Sequence, residues 1–214
     1  HVHVPKFVDL VWRDGAGVRD GEFGLYGHRR PAWRQVRQAP TRPGWYVSTR
    51  NAESYGPSMS TFVIRMAEVS DLAAIQKLLP RLADFPAPRR LTTEDVWRYD
   101  GVAVAEWASG ERPQTWVRVA TDTAQEVVAV AVGSMIEDSF TGQPAVHLEV
   151  VVIDERVDGH GLGSRLIAEI ESDGRQRGAA VMSLNVMTAN HRARSLYERL
   201  GFEEEMIRAS KPLD

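Results

Sequence analysis

One stretch of this sequence concentrates residue types that can do chemistry: Val150-Val-Val-Ile-Asp-Glu-Arg-Val-Asp-Gly-His-Gly-Leu-Gly-Ser-Arg-Leu166. A β-branched run leads into glycines at 159, 161 and 163, then directly into the helical spacing of Leu166, Ile167 and Ile170. Glycine permits backbone turns that aim successive N–H groups into one concavity, and a helix N-terminus adds partial positive charge. Both features suit a pyrophosphate held by backbone alone, with Ser164 as a further donor and Arg156 or Arg165 as a further charge. The competing reading is a glycine-rich turn that merely allows a tight strand-to-helix connection. A dinucleotide fingerprint fits worse, because Ser164 stands at its last glycine and Val181–Val186 ends without an acidic residue.

Just upstream, Glu149 stands among valines, a costly place for a carboxylate that is neither partnered nor solvated. Strict strand alternation puts residues 147, 149, 151 and 153 on one face, so His147 shares its side. Burial raises a carboxylate's pKa, which suits a general base, and makes Glu149 the first candidate with His147 in reserve. A solvent-facing or salt-bridged glutamate and a structural histidine are the plainer alternatives. Further on, Asn190 suits an N-cap and Tyr197 continues an apolar helical stripe.

These residues need elements to hold them. Thr61–Met66 reads as a strand, and Ser70 as the N-cap of a helix with the stripe Leu72, Ile75, Leu78, Leu79 and Leu82. Thr92 and Asp95 resemble a capping box opening a second helix, which Gly101 weakens. Thr115–Ala120 and Glu126–Ile136 read as strands joined by a turn at Asp122–Gln125. A loop at Asp138–Pro144 leads to the strand Val146–Ile153. Then follow a helix over Ser164–Arg177, a strand over Val181–Val186, a helix capped by Asn190 and closed by Gly201-Phe202, and a final strand over Phe202–Ile207. Strands meeting first as hairpins and later across helices imply a mixed sheet with helices on both faces.

Composition bounds the rest. The 214 residues are 43% hydrophobic and 26% charged, with no apolar run long enough to span a bilayer, so no membrane is expected. Cysteine is absent, which excludes disulfides and thiolate chemistry and fits a cytoplasmic protein. The net charge of −3 gives no reason to expect nucleic acid. Residues 1–58 differ in texture, with nine Lys/Arg against five acidic residues, 12 Gly plus Pro, and no Ile or Met. They read as a disordered or non-native leader, with residues 59–214 as the domain. The leader's scattered arginines leave a nucleic-acid or membrane-surface contact as a minor alternative.

Two further motifs draw the reading together. Asp158-Gly-His-Gly161-Leu-Gly163 and Asn190-His-Arg-Ala193-Arg-Ser-Leu-Tyr197-Glu-Arg-Leu-Gly201-Phe202 resemble the GNAT superfamily signatures Gln/Arg-x-x-Gly-x-Gly/Ala and Asn-x-x-Ala-x-x-x-Tyr-x-x-x-Gly-Phe. The opening Ile64-Arg65-Met-Ala67-Glu-Val-Ser-Asp71-Leu72 resembles the family's first strand and helix start. One departure stands out: Asp158 occupies the place of Gln or Arg, so it should cap the turn or pair with Arg156 or Arg165. If it does neither, it weakens cofactor binding.

The resemblance implies an α/β (α+β) fold with a mixed, mostly antiparallel central sheet whose strands splay at an acetyl-CoA cleft. It implies pyrophosphate at Asp158, Gly159, His160, Gly161, Leu162, Gly163 and Ser164, pantetheine along Val151, Val152 and Ile153, and Asn190 near the CoA arm. Backbone donors on that strand would polarise the thioester carbonyl as an oxyanion hole. Glu149 would deprotonate an amine and Tyr197 would reprotonate the thiolate. The implied activity is direct acetyl transfer from acetyl-CoA to a primary amine in a ternary complex, with no metal. A catalytically silent acyl-CoA-binding module on the same fold is the alternative. The acceptor, a small molecule or a peptide amine, is not legible, and a homodimer stays open.

Overall fold

The computed structural model describes residues 62–213, so the leader expected at 1–58 lies outside the described residues. Five strands, Val63–Met66 (β1), Thr115–Thr121 (β2), Val127–Glu137 (β3), Pro144–Ile153 (β4) and Val181–Leu184 (β5), lie side by side in chain order. The first three pairings are antiparallel, β2–β3 and β3–β4 as hairpins and β1–β2 across the intervening helices. β4 and β5 are parallel, which requires a crossover, and the helix Leu162–Gln176 (α3) supplies it. Among the described residues no helix is long and apolar enough to cross a membrane.

The sheet is covered on both faces. Helices Leu72–Leu78 (α1) and Thr93–Ala108 (α2) bring Ile75, Leu78 and Val104 against Val117, Val119, Val130, Val132, Val150 and Val152. α3 brings Leu162, Leu166, Ile167 and Ile170 against Trp116, Ala129, Ala131, Val146 and Leu148. The helix His191–Arg199 (α4) adds Leu196 and Tyr197 to that second cluster. Alternating apolar side chains on β2 and β3 thus serve two cores at once, as a central strand should.

Most element ends follow their local chemistry. Thr92 accepts from Asp95 N–H while the Asp95 carboxylate accepts from Thr92 N–H, a closed capping box, and α2 continues straight through Gly101. Gly201 takes φ +87°, and the N–H groups of Gly201 and Phe202 donate to Glu198 and Tyr197 carbonyls, the Schellman ending expected for α4.

Three expectations fail. Ser70 does not cap the first helix: it lies inside a 3₁₀ turn, Val69–Asp71, and Asp71 instead accepts from Glu68 N–H and from Arg65. α1 also gives way to a 3₁₀ segment, Leu79–Ala83, because Pro80 lacks an N–H and its ring clashes with the preceding turn. Phe202–Ile207 is not a strand. Phe202 packs edge-to-face on Tyr197 and Glu204 pairs with Arg194, but Met206 and Ile207 stand exposed, with no neighbouring strand among the described residues to complete a ladder.

Candidate active site

β4 carries an irregularity at the centre of the site. Val132 pairs with Val150, and the next residue, Gly133, pairs with Leu148, so Glu149 is an extra residue without a partner on β3. This bulge overturns the strict alternation expected from Val146 to Ile153. Before it, Val146 and Leu148 face α3; after it, Val150 and Val152 face α2, while Val151 and Ile153 pack into the α3-side cluster. Glu149 therefore does not share a face with Val151 and Ile153. Gly133 fits the bulge because a Cβ there would lie 2.7 Å from Ile170 and 3.1 Å from the Trp116 ring.

Pairing between β4 and β5 ends at Leu148 and Leu184, while β4 runs on to Ile153. The two strands part at the bulge, and the last residues of β4 lose their neighbour on that side. This is the splay expected from the sequence.

Beyond β4 the chain makes a 3₁₀ turn, Glu155–Val157, and enters α3 through Gly159 and Gly161, at φ +82° and +72°. Side chains rarely adopt such angles, so glycine is required at both. Gly163 lies inside α3, where a Cβ would approach Ile153 at 3.2 Å and Leu196 at 3.4 Å; its role is close packing. Among the described residues, none of the backbone N–H groups from Gly159 to Ser164 finds an acceptor. Six consecutive unpaired donors at a helix N-terminus, with no side-chain cap, are a geometry that suits an anion. The His160 ring folds back on the turn while staying exposed, its Nδ1 lying 3.0 Å from Val157 O and 3.1 Å from Asp158 O.

Asp158 is neutralised, though not by the partners expected. Arg156 is engaged by Asp154 at 2.9 Å, and Arg165 makes no pair with Asp158. The partners are Arg192, on the first turn of α4, at 2.9 Å and Arg81 at 3.7 Å. The Arg192 hydrogen bond, more than burial opposes it, holds the Asp158 carboxyl below the ordinary carboxylate range. Arg81 also donates to Ile153 O at 2.7 Å, fastening the end of β4 to the segment after α1. No sequence signal marked Arg81 or Arg192, because each meets Asp158 only through the fold.

On the α2 side of β4, Arg112 donates to both Glu149 oxygens at 2.8 and 2.7 Å, with each side chain 16% exposed. His147 Nδ1 lies 2.9 Å from Ser183 Oγ and its Nε2 lies 3.3 Å from Asn185 Nδ2. An amide donor at Nε2 places the imidazole proton on Nδ1, which then donates to Ser183. Burial lowers the His147 pKa, only partly offset by Glu149. Asp100 on α2 completes the group: burial first, then the Glu149 charge, push it up to about 7 against the opposing Arg112.

Tyr197 is half-buried in the α3-side cluster, and burial raises its phenol pKa. It therefore stands on the opposite side of β4 from Glu149 and His147. Asn190 accepts from Ala193 N–H at 3.1 Å, which makes it the α4 N-cap. The structure thus gathers Glu149 and His147 at the bulge, gathers 158–164 at the turn, and keeps Tyr197 apart from both catalytic candidates. Asp100 and Arg112 were missed. Asp100 had a faint signal, a charge one turn before Val104 on the stripe that faces the sheet; Arg112, beyond the helix end, had none.

The family model of the acetyltransferase (GNAT) family matches residues 77–202, more than half of the chain. No curated protein sequence matches significantly. Among solved structures, an acetyltransferase from Trypanosoma brucei is 26% identical with a TM-score of 0.53, covering 71% of this chain and 99% of that one. The glucosamine-6-phosphate N-acetyltransferase of Arabidopsis thaliana is 22% identical, TM-score 0.53, covering 72% and 100%. An aminoglycoside N-acetyltransferase in complex with CoA is 20% identical, TM-score 0.57, covering 75% and 100%. The last two show a shared fold. The family match runs unbroken from α1 through the bulged strand and the glycine turn to Phe202, and the chain belongs to the GNAT acetyltransferase family.

Proposed function

We propose that this acetyltransferase moves an acetyl group from acetyl-CoA to a primary amine by direct transfer in a ternary complex. The observation that carries the reading is the row of six acceptor-free N–H groups at Gly159–Ser164, placed where β4 has parted from β5. A pyrophosphate supplies the negative charge such a row lacks. The structural neighbour solved with CoA supports the same cosubstrate.

When bound, acetyl-CoA supplies a thioester carbonyl, and the chain's own groups do the rest. Along Val151, Val152 and Ile153, the N–H groups of Val151 and Ile153 point away from β3, hold the pantetheine arm and donate to the carbonyl oxygen as negative charge develops, while Val152 stays in the ladder with β3. Asp158, Gly159, His160, Gly161, Leu162, Gly163 and Ser164 form the phosphate turn, with Asn190 holding α4 beside it. The amine must lose a proton before attack, and the acidic group on the α2 side of the bulge takes it, Glu149 being its β4 member and His147 the reserve. Tyr197, on the other side of β4, returns a proton to the leaving thiolate. Two faces for two proton transfers support direct attack without a covalent enzyme intermediate.

The acceptor is a cationic amine on this reading, because Asp100 and Glu149 face the place it must enter. Neighbours that act on glucosamine-6-phosphate and on aminoglycosides support an amino sugar or another small amine, and a peptide amine stays open. Residues 59–214 carry the function and 1–58 take no part in it. The cysteine-free composition favours the cytoplasm.

The test is a thiol-release assay with acetyl-CoA against a panel of amines, run beside a thermal shift with CoA. Turnover of one amine class together with stabilisation by CoA is expected. Stabilisation without any turnover would leave the silent acyl-CoA-binding module. No stabilisation at millimolar CoA would remove the phosphate-turn reading altogether.

A further inference from the structure

We propose that Asp100 on α2 receives the proton of the acceptor amine, with the Glu149–Arg112 ion pair as its positioning partner. The proposal rests on the amine-acetylation reading above and assigns its proton-accepting residue.

Geometry comes first. α2 turns Trp97, Val104 and Trp107 toward the sheet, and Asp100 sits one turn before Val104 on the same stripe. A carboxylate on a core-facing stripe needs a partner, yet Asp100 makes no hydrogen bond or ion pair among the described residues. Glu149 is the reverse case. Both of its oxygens are engaged by Arg112 at 2.7 and 2.8 Å, so protonating it would break a bidentate pair. Of two carboxylates on one face, one is tied and the other is free.

The surrounding charges agree. From β4, Glu149 and His147 face this region, and Arg112 reaches it from the segment after α2. From the elements packed on α2, Lys77 of α1 is exposed, while Arg81 and Asp84 pair with each other at 3.0 Å. On α2 itself Arg98 pairs with Asp95 at 3.5 Å, while Glu94 and Glu106 exert no resolved influence. Only Glu149 and Arg112 act on Asp100: burial and Glu149 raise it to about 7, and Arg112 opposes them. A general base is most effective when its pKa lies near the working pH.

The step balances simply. The acceptor arrives as R–NH₃⁺, one N–H bond breaks, and the proton passes to an Asp100 oxygen, directly or through one water. This leaves R–NH₂ with its lone pair free and Asp100 as a neutral acid. The nitrogen then bonds to the acetyl carbon as the C–S bond breaks, and the Tyr197 phenol protonates the departing thiolate. The nitrogen's second proton is lost and makes good the one Tyr197 gave up. Asp100 returns its proton to solvent, leaving the amide, the free thiol of CoA and one released proton.

The experiment uses the full chain and two readouts. Carboxyl ¹³C NMR titration follows Asp100 directly, without turnover. The pH profile of kcat/KM, with an amine the wild type accepts, is compared for wild type, Asp100→Asn, Asp100→Glu and Glu149→Gln. CoA-induced stabilisation reports whether each variant is folded. Asp100 is expected to titrate near pH 7 and the rising limb of the profile to share that midpoint. Asp100→Asn should abolish the limb with a loss of roughly 100-fold or more, and Asp100→Glu should restore part of it. Glu149→Gln should keep a limb but move it to lower pH, because a charge that raises Asp100 has gone. An Asp100 titration near an ordinary carboxylate value overturns the proposal. So does a limb that survives Asp100→Asn with its midpoint unchanged. A wild type that acetylates no amine fails the parent reading instead, a result the variants cannot mimic.

Discussion

On the α3 side of β4 the sheet meets apolar side chains and, at its end, a row of backbone N–H groups; on the α2 side it meets two carboxylates, a guanidinium and an imidazole. The first region is built from one contiguous segment, Ile153 to Leu166, and its unpaired donors are peptide amides. The second is assembled from α2, the segment after it, β4 and β5. Backbone amides are present whatever the side chains, so the turn tolerates Asp158 where a donor would be expected, provided Arg192 and Arg81 cancel its charge. A side-chain cluster has no such redundancy: one atom changed alters its proton inventory. The bulge at Glu149 joins the two regions by reversing which face each later residue addresses.

The comparison is sharpest where chemistry is separated from binding. Asp100→Asn and Tyr197→Phe should each lower kcat by ~10²–10⁴-fold with CoA affinity nearly unchanged, since these two groups act on protons rather than on the cofactor. Steady-state kinetics beside calorimetric CoA titration measure both, and a parallel loss of affinity would erase the division between the faces.

Gly161→Ala should do the opposite. Forcing φ +72° on a side chain costs about 1–2 kcal/mol, so CoA binding should weaken about ten-fold with kcat at saturating acetyl-CoA largely kept. A large fall in kcat at saturation would mean that the turn also shapes the catalytic face.

Asp158→Asn should release Arg192 and Arg81 toward the phosphate turn and tighten CoA by on the order of 1 kcal/mol, less at high salt. Calorimetry at two salt concentrations reads this directly. If the native protein binds no CoA and the variant binds well, Asp158 is a block on binding rather than a neutralised residue.

Asp100 has a stability signature of its own. Its folded-state pKa of about 7 lies above the ordinary value of 3.8, so the native state binds more protons than the unfolded state between those values. Stability from this group is therefore full below about pH 4 and is lost as pH rises through 7. His147 works the other way: its lowered pKa makes the unfolded state bind more protons as pH falls through the ordinary 6.5. Asp100→Asn should accordingly melt higher than wild type at pH 8, with the advantage shrinking toward pH 5 in scanning calorimetry. The smallest expected effect comes from deleting residues 1–58: an unchanged melting temperature and unchanged CoA binding. A destabilised product would show that the leader supports the domain.

The sequence by itself determined the order of the elements up to Phe202, the two-sided core and the place of the glycine turn. Strand alternation, helical stripes, capping pairs and positive-φ glycines are interactions between near neighbours, and their physics is complete within a few residues. The turn was legible for the same reason, since its unpaired donors are its own peptide groups. The final strand was misread because alternation signals a strand only where another strand lies beside it, and Met206 and Ile207 have none among the described residues. Tertiary structure alone decided the bulge, because an unpaired residue on β4 exists only relative to its register with β3. It alone paired Arg112 with Glu149 across 37 residues and Arg192 with Asp158 across 34. It also gave Asp100 its elevated pKa. Ion pairing and desolvation depend on separations of a few ångströms between segments far apart in sequence, and only the folded chain sets those distances.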